Sequence, residues 1–393
     1  NIHDIIFYYI LCVCQIYVNL SDDFLRVPEV IILRQLDNIT ILRYAQVFSS
    51  GGGIETYMAD LDNELLKNHP WTIIHLRLSS MRDGEKASTQ KVGRGLLVHV
   101  PLYKDKKDVS YENKFLNEIS PFKTMASNMI RDHILYNHTL YKCLFHKYLT
   151  SRPYPGMDSE AIEARMAASN LMNEYKINLL VMHHVGVKDS AVIIEEAVKR
   201  NIPYVVINHF SNERLSFISV REQIKKASGI GGVSNVGVPW WLRNQFVNLS
   251  DGIDTDLFRR DKAQPISMQT DVPIALLPAR ITPEKGQRDL MQACASLQKE
   301  GIKIKVALAG RSDSTEYVNS LKQFAQKSGI ERYVLFLGDL PLLKIRDWYA
   351  ASTVLVFPTY REGLGRVLLE SQAMKLPVIT YISGGTPEAI IHD

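Results

Sequence analysis

A chain of 393 residues, 46% hydrophobic and 22% charged, has the composition of an ordinary globular protein with room for two or three domains. Its formal net charge of +4 suits an anionic ligand or an acidic membrane surface, but is too weak to point to nucleic acid, which we exclude as a partner. The four cysteines, Cys12, Cys14, Cys143 and Cys294, fit neither a zinc spacing nor a disulfide framework, so reduced thiols in a cytoplasmic protein are expected.

Residues 1–38 form an N-terminal extension of uncertain status. Its run "IIFYYILCVCQIYV" (5–18) is short for a membrane span and lacks the basic start of a signal peptide. A buried or spurious extension is the first reading, and a truncated anchor or signal segment the second. From residue 39 the pattern turns to strand, loop and helix in alternation. "ITILRYAQVF" is a β-rich run, "SSGGG" a glycine turn, "IETYMADLDNELLKN" an amphipathic helix and "WTIIHLRL" a second strand. Strand "INLLVMHHVG", helix "DSAVIIEEAVKRN" and strand "IPYVVINHF" continue it. Such alternation predicts a parallel sheet covered by helices, an N-terminal Rossmann-like domain over 39–247.

Between them, "KFLNEISPFKTMASNMIRDHILYNHTLYKCLFHKYLTSR" (within 111–152) reads as helical, aromatic and basic. A helix pair packed on the N-terminal domain is expected, with a membrane-surface or acceptor-docking helix as the alternative. Turn residues and mixed charge then mark a linker over 248–271. Alternation resumes with "VPIALLPAR", "IKVALAG", "YVLFLG", "VLVFPT" and "PVITY" as strands, separated by amphipathic helices. Five strands with crossover helices predict a second doubly wound α/β domain over 272–393.

Three glycine-bearing turns carry the chemistry. In "SSGGGIETY", Gly51, Gly52 and Gly53 lie between a strand and a helix, where backbone N–H groups can approach an anion. A plain structural turn is equally compatible with the glycines alone. In "PARITPEKGQRDL", Arg280 ends a strand and Lys285 precedes Gly286, so two cations emerge where α/β sheets bind ligands. Arg can hold two phosphate oxygens while Lys acts as a point charge. In "REGLGRVLLESQAMKLPVITY", Glu362 stands before a Gly-x-Gly turn and Glu370 inside the following helix. Two acids beside a polyanion would repel it unless they face sugars on either side while the glycine backbone faces the charge. This spacing fits a nucleotide-sugar.

From about residue 40 onward the chain resembles the retaining glycosyltransferases of family 4. The resemblance rests on "GGGIETY", "DGIDTDLF", "PARITPEKG", "LFLGDL", "EGLGRVLLESQAMKLPVI" and "GGTPEAI". It implies a GT-B-type α/β fold, two Rossmann-like doubly wound domains facing across a cleft. It also implies a retaining, metal-independent hexosyltransferase with no cofactor, using a nucleoside diphosphate sugar as donor. Arg280 and Lys285 would bind the diphosphate, Glu370 the ribose and Glu362 the transferred sugar. Gly363 and Leu364 would supply backbone donors, and the loop at Gly52 and Gly53 would close on the diphosphate. A histidine near the donor sugar would be His209, with His184 as second choice. The catalytic set is thus Glu362, His209, Arg280 and Lys285. The acceptor would be a glycan, a lipid-linked sugar or a small molecule, and the protein cytoplasmic with possible peripheral contact at the inner face of the membrane.

The chain departs from the family pattern where Asp251 replaces the asparagine of the usual Asn-Gly-Ile/Val-Asp linker. It also stops at "PEAIIHD", where family members continue, so a fragment at both ends is expected. "DTD" (254–256) mimics an Asp-x-Asp metal motif but sits in the linker, and no metal site is expected there. The rival functions are a nucleotide-sugar epimerase of similar fold, or an inactive nucleotide-sugar-binding fragment.

Overall fold

The structure is a computed structural model. It describes residues 39–45, 53–80, 86–104, 159–183, 185, 188–210, 212, 215, 218–264, 266, 272–312 and 314–390. The N-terminal extension, the basic helical segment (111–152), Gly52 and His184 lie outside the described residues. The described residues divide into two compact units, one within 37–55 and 65–204, the other within 56–64 and 205–393. Among the described residues no helix is long and apolar enough to cross a membrane.

In the first unit the strands run in the order β3-β4-β2-β1-β5. They are β1 (Thr40–Ala45), β2 (Thr72–Ser80), β3 (Ser88–Val92), β4 (Gly95–Lys104) and β5 (Leu179–Met182). β1 pairs in parallel with β2 and β5, and β2 in parallel with β4. A strand covered on both faces reads as a continuous apolar run, and "LLVM" of β5 is buried throughout. The hairpin β3–β4 is antiparallel, with β3 largely exposed. It was not expected from the sequence, because a polar edge strand shows little alternation. Helix α1 (Gly53–Asn68) is divided between the units, residues 56–64 belonging to the second, and buries Tyr57, Met58, Leu61, Leu65 and Leu66, the spacing of one helical face. Helices α2 (Ser159–Glu174) and α3 (Lys188–Lys199) are joined through Arg200, just beyond α3, whose Nη2 donates to Ser169 Oγ at 2.7 Å.

The second unit opens with β6 (Tyr204–Asn208), here from Val205 on, then α4 (Ile218–Ile224), β7 (Gly229–Gly232) and β8 (Phe246–Asn248). β6, β7 and β8 pair in parallel in that order. β8 lies inside the turn-rich stretch that precedes the second alternating run. The remaining strands are β9 (Ile274–Pro278), β10 (Lys305–Ala309), β11 (Val334–Gly338), β12 (Val354–Phe357) and β13 (Val378–Thr380). Helices α5 (Gln287–Lys299), α6 (Thr315–Lys327), α7 (Leu342–Ala351) and α8 (Arg366–Ala373) form the crossovers, and α9 (Thr386–Ala389) follows β13.

These five strands are all parallel, in the order β11-β10-β9-β12-β13. The chain winds outward in one direction from β9 to β11 and in the other from β12 to β13. Its core includes Ile274 to Leu277, Val306 to Ala309, Leu290, Met291, Leu321, Leu355, Phe357 and Leu368. Between β9 and β12 the winding reverses. The carboxyl ends of those two strands therefore bound a crevice that no crossover helix covers, the place where open α/β sheets take ligands.

Candidate active site

Both loops at this switch point carry the residues singled out in the sequence. After β9 the chain passes through exposed Arg280 into a 3-10 turn, Pro283–Lys285, and then Gly286. Gly286 adopts φ 73°, and a Cβ there would meet the carbonyl oxygen of Pro358, in the loop after β12, at 2.1 Å. Only glycine allows this approach. The Tyr360 N–H donates to the Glu284 carbonyl at 2.8 Å and joins the two loops again. The Arg280 carbonyl accepts from Gln287 Nε2 at 2.8 Å, which anchors the backbone behind its side chain.

Lys285 and Glu362 meet. Lys285 Nζ lies 2.6 Å from Glu362 Oε2, both side chains being mostly buried, and the ammonium also sits 5.5 Å from the centre of the Phe357 ring. Gly363, the next residue, is wedged between backbones. A Cβ on it would lie 2.2 Å from the His209 carbonyl oxygen, while one on Gly385 would lie 1.9 Å from the Gly363 oxygen. Three chain segments, ending at His209, at Glu362–Gly363 and at Gly384–Gly385, thus touch with no side chain between them. Leu364 is buried in the core and pins this turn to the sheet. The His209 imidazole stands edge to face with Tyr57, ring centres 4.8 Å apart. Gly53 opens α1 and belongs to the other unit.

Glu370 lies one turn into α8. It is buried and its Oε2 accepts a hydrogen bond from the Tyr349 hydroxyl at 2.8 Å. Burial pushes its carboxyl above the usual range, with Arg366 and the Tyr349 hydroxyl opposing. The hydroxyl of Tyr349 is in turn held well above its usual value by burial and by the Glu370 charge.

Sequence reasoning missed Arg366 and what surrounds it. Arg366 is the first residue of α8, buried, with Nη2 donating to Asp60 Oδ2 of α1 at 2.9 Å. A cation at a helix N-terminus opposes the helix dipole, so it needs compensation. Asp60, Asp251 and Glu370 supply it: burial works against the charge of Arg366, but these three carboxylates raise its basicity. The Asp251 carboxyl is pushed up to about 7, first by burial and then by Glu362, Glu370 and Asp60, with Arg366 opposing. The one available signal was the asparagine-to-aspartate departure at 251. Asp254 serves the backbone, its Oδ1 accepting the N–H groups of Asp256 and Leu257 in a local turn.

Residues 258–393 match the family described as "Glycosyl transferases group 1". A GDP-mannose-dependent alpha-(1-6)-phosphatidylinositol monomannoside mannosyltransferase from Mycobacterium tuberculosis is 29% identical over 157 residues, 37% of this chain and 40% of that protein. The match thus spans about two fifths of that relative's length. Sucrose-phosphate synthase from Thermosynechococcus elongatus superposes with TM-score 0.64 at 16% identity, covering 90% of this chain and 84% of the other. Anabaena Alr3699/HepE, in complex with UDP and glucose, gives TM-score 0.57 at 15% identity, over 90% and 83% of the two chains. These likenesses bear out the GT-B-type α/β fold expected from the motifs. The family match falls on residues 258–393, the stretch that holds Arg280, Lys285, Glu362 and Glu370.

Proposed function

We propose that the switch-point crevice binds a nucleoside diphosphate sugar, and that the protein transfers the sugar to an acceptor hydroxyl with retention and without a metal. The observation that carries this reading is the Lys285–Glu362 pair, 2.6 Å apart where the loops after β9 and β12 meet. One cation for a phosphate and one carboxylate for sugar hydroxyls are held within one contact of each other. Arg280 and the N–H groups at the start of α8 add positive potential, since α8 begins at Gly365 with no side-chain cap. Glu370 would accept hydroxyls of the ribose. A nucleotide donor is supported by the relatives, one of them GDP-mannose-dependent and another a structure in complex with UDP and glucose.

In this mechanism the acceptor oxygen attacks the anomeric carbon from the face that the diphosphate leaves. The bond from that carbon to the phosphate oxygen breaks, the new glycosidic bond forms, and a phosphate oxygen takes the acceptor's proton. Lys285 and Arg280 meet the charge growing on the departing oxygen, the role of preorganised electrostatics. His209, against the Gly363 backbone, would contact the sugar. The acceptor would be a glycan, a lipid-linked sugar or a small molecule.

The test is the anomeric configuration of the first product by NMR coupling constant, with activity measured in excess chelator. The same anomer as the donor and most of the activity retained are expected. An inverted anomer, or activity lost with chelator and restored by manganese, would overturn the mechanism.

A further inference from the structure

Asp251 is the family departure that the proposed mechanism does not use. Its Oδ1 is buried and has no hydrogen-bond partner among the described residues. The same is true of Nη1 of Arg366, a residue only 8% exposed overall. The charged groups acting on Asp251 come from several elements: Arg366 and Glu370 on α8, Glu362 before it and Asp60 on α1. Lys285 is taken up by Glu362, Arg366 bonds Asp60, and Asp254 acts on Asp60 in turn. Tyr349 of α7 donates to Glu370, and His209 lies against the Gly363 backbone. Four acids, Asp60, Asp251, Glu362 and Glu370, therefore share the two cations Arg366 and Lys285 before any diphosphate arrives.

An anion entering such a cluster meets repulsion unless a carboxyl nearby is neutral. Asparagine at this position would be neutral at every pH, whereas aspartate is neutral only when it carries a proton. We propose that Asp251 is a positioning residue that works as a proton-carrying substitute for asparagine: neutral, it leaves Arg366 to Asp60 and Glu370, and donor binding is coupled to proton uptake at its carboxyl. Ionised, Asp251 competes for Arg366 and adds a negative charge beside the donor. The inference rests on the donor-site reading above. Its direction agrees with the upward displacement of this carboxyl to about 7.

The decisive measurement is calorimetric titration of the whole chain with GDP-mannose and with UDP-glucose, in buffers of different ionisation enthalpy between pH 6 and 8. The diphosphate of either sugar nucleotide is a diester with no proton to lose in that range. Proton uptake on binding is expected in the wild type, with affinity falling by up to about tenfold per pH unit above neutrality. Asp251→Asn should bind without that uptake and with a flat profile, a difference that a merely structural role would not produce. Unchanged uptake in Asp251→Asn would overturn the proposal.

Two further measurements keep it open to refutation if the variant folds poorly or if neither nucleotide binds. Infrared difference spectra of the wild type should show a protonated-carboxyl band growing on nucleotide addition; no growth in a sample that binds would refute the coupling. Without ligand, a carboxyl raised in the folded chain contributes its full stability below the unfolded value of about 4 and loses it as pH rises towards 7. The wild-type unfolding midpoint should fall across that window relative to Asp251→Asn. A constant difference between the two would refute the proton on Asp251. Failure of both nucleotides to bind would instead remove the donor-site reading and, with it, the coupling.

Discussion

Helices α6 and α8 both follow parallel strands of the same sheet, yet they begin in opposite ways. At α6 the N-cap is Ser314, whose hydroxyl accepts the Tyr317 N–H at 3.1 Å, and Glu316 places an acid in the first turn. Every local preference of a helix start is met there. At α8 the N-cap is Gly365 at φ 94°, no side chain caps the first turn, and the first residue is Arg366, a cation. α6 is satisfied by its own residues. α8 has no side-chain cap of its own, and its first residue is compensated by the distant Asp60. Local rules broken in this way, next to neighbours that keep them, are expected at functional sites, and the contrast is what the donor-site proposal would explain.

The largest expected effect comes from closing the glycine stack beside α8. Gly384 has φ 55°, and a Cβ there would lie 1.9 Å from the Glu362 carbonyl oxygen. Gly384→Ala should destabilise the fold by about 1–3 kcal/mol or more and abolish nucleotide binding, as read by urea unfolding and calorimetry. Binding that survives in this variant would mean that the turn can shift away from the stack.

A smaller change separates the two members of the ion pair. Lys285→Ala should weaken nucleoside diphosphate binding at least about tenfold, the consequence of losing one charge-assisted contact of about 1.5–3 kcal/mol. Glu362→Gln frees Lys285 from its carboxylate and should leave diphosphate affinity equal or higher while turnover falls. Parallel loss of affinity in both variants would contradict the division of roles.

The smallest effect is expected at the satisfied helix. Ser314→Ala should cost about 1 kcal/mol of stability and leave nucleotide affinity at the wild-type value. A measurable loss of affinity in Ser314→Ala would show that α6 is not the neutral reference assumed in the comparison.

Much of the second α/β unit was legible before any coordinates. Apolar runs such as "IALLP" and "KVALA", spaced by amphipathic helices, lead to parallel strands in any compact arrangement, and β9 to β13 are those runs. Lys285 and Glu362 were legible because each sits beside a glycine whose backbone must come close to something. The partnership of Arg366 with Asp60 was not, since nothing local in α1 or α8 specifies a contact between residues so far apart. The burial of the Asp251 Oδ1 was hidden for the same reason. Hairpin β3–β4 escaped because β3 faces solvent along nearly its whole length, which removes the alternation that would reveal it.

The stack of backbones at His209, Gly363 and Gly385 has a consequence for how this protein folds. Its three segments are remote in sequence, so the contact order of the site is high and its assembly belongs to the late, slow part of folding. A partly folded chain with β9 and α5 in place would hold Lys285 but not the surface opposite it. Nucleotide would then stabilise the completed fold alone and lift its unfolding temperature by mass action.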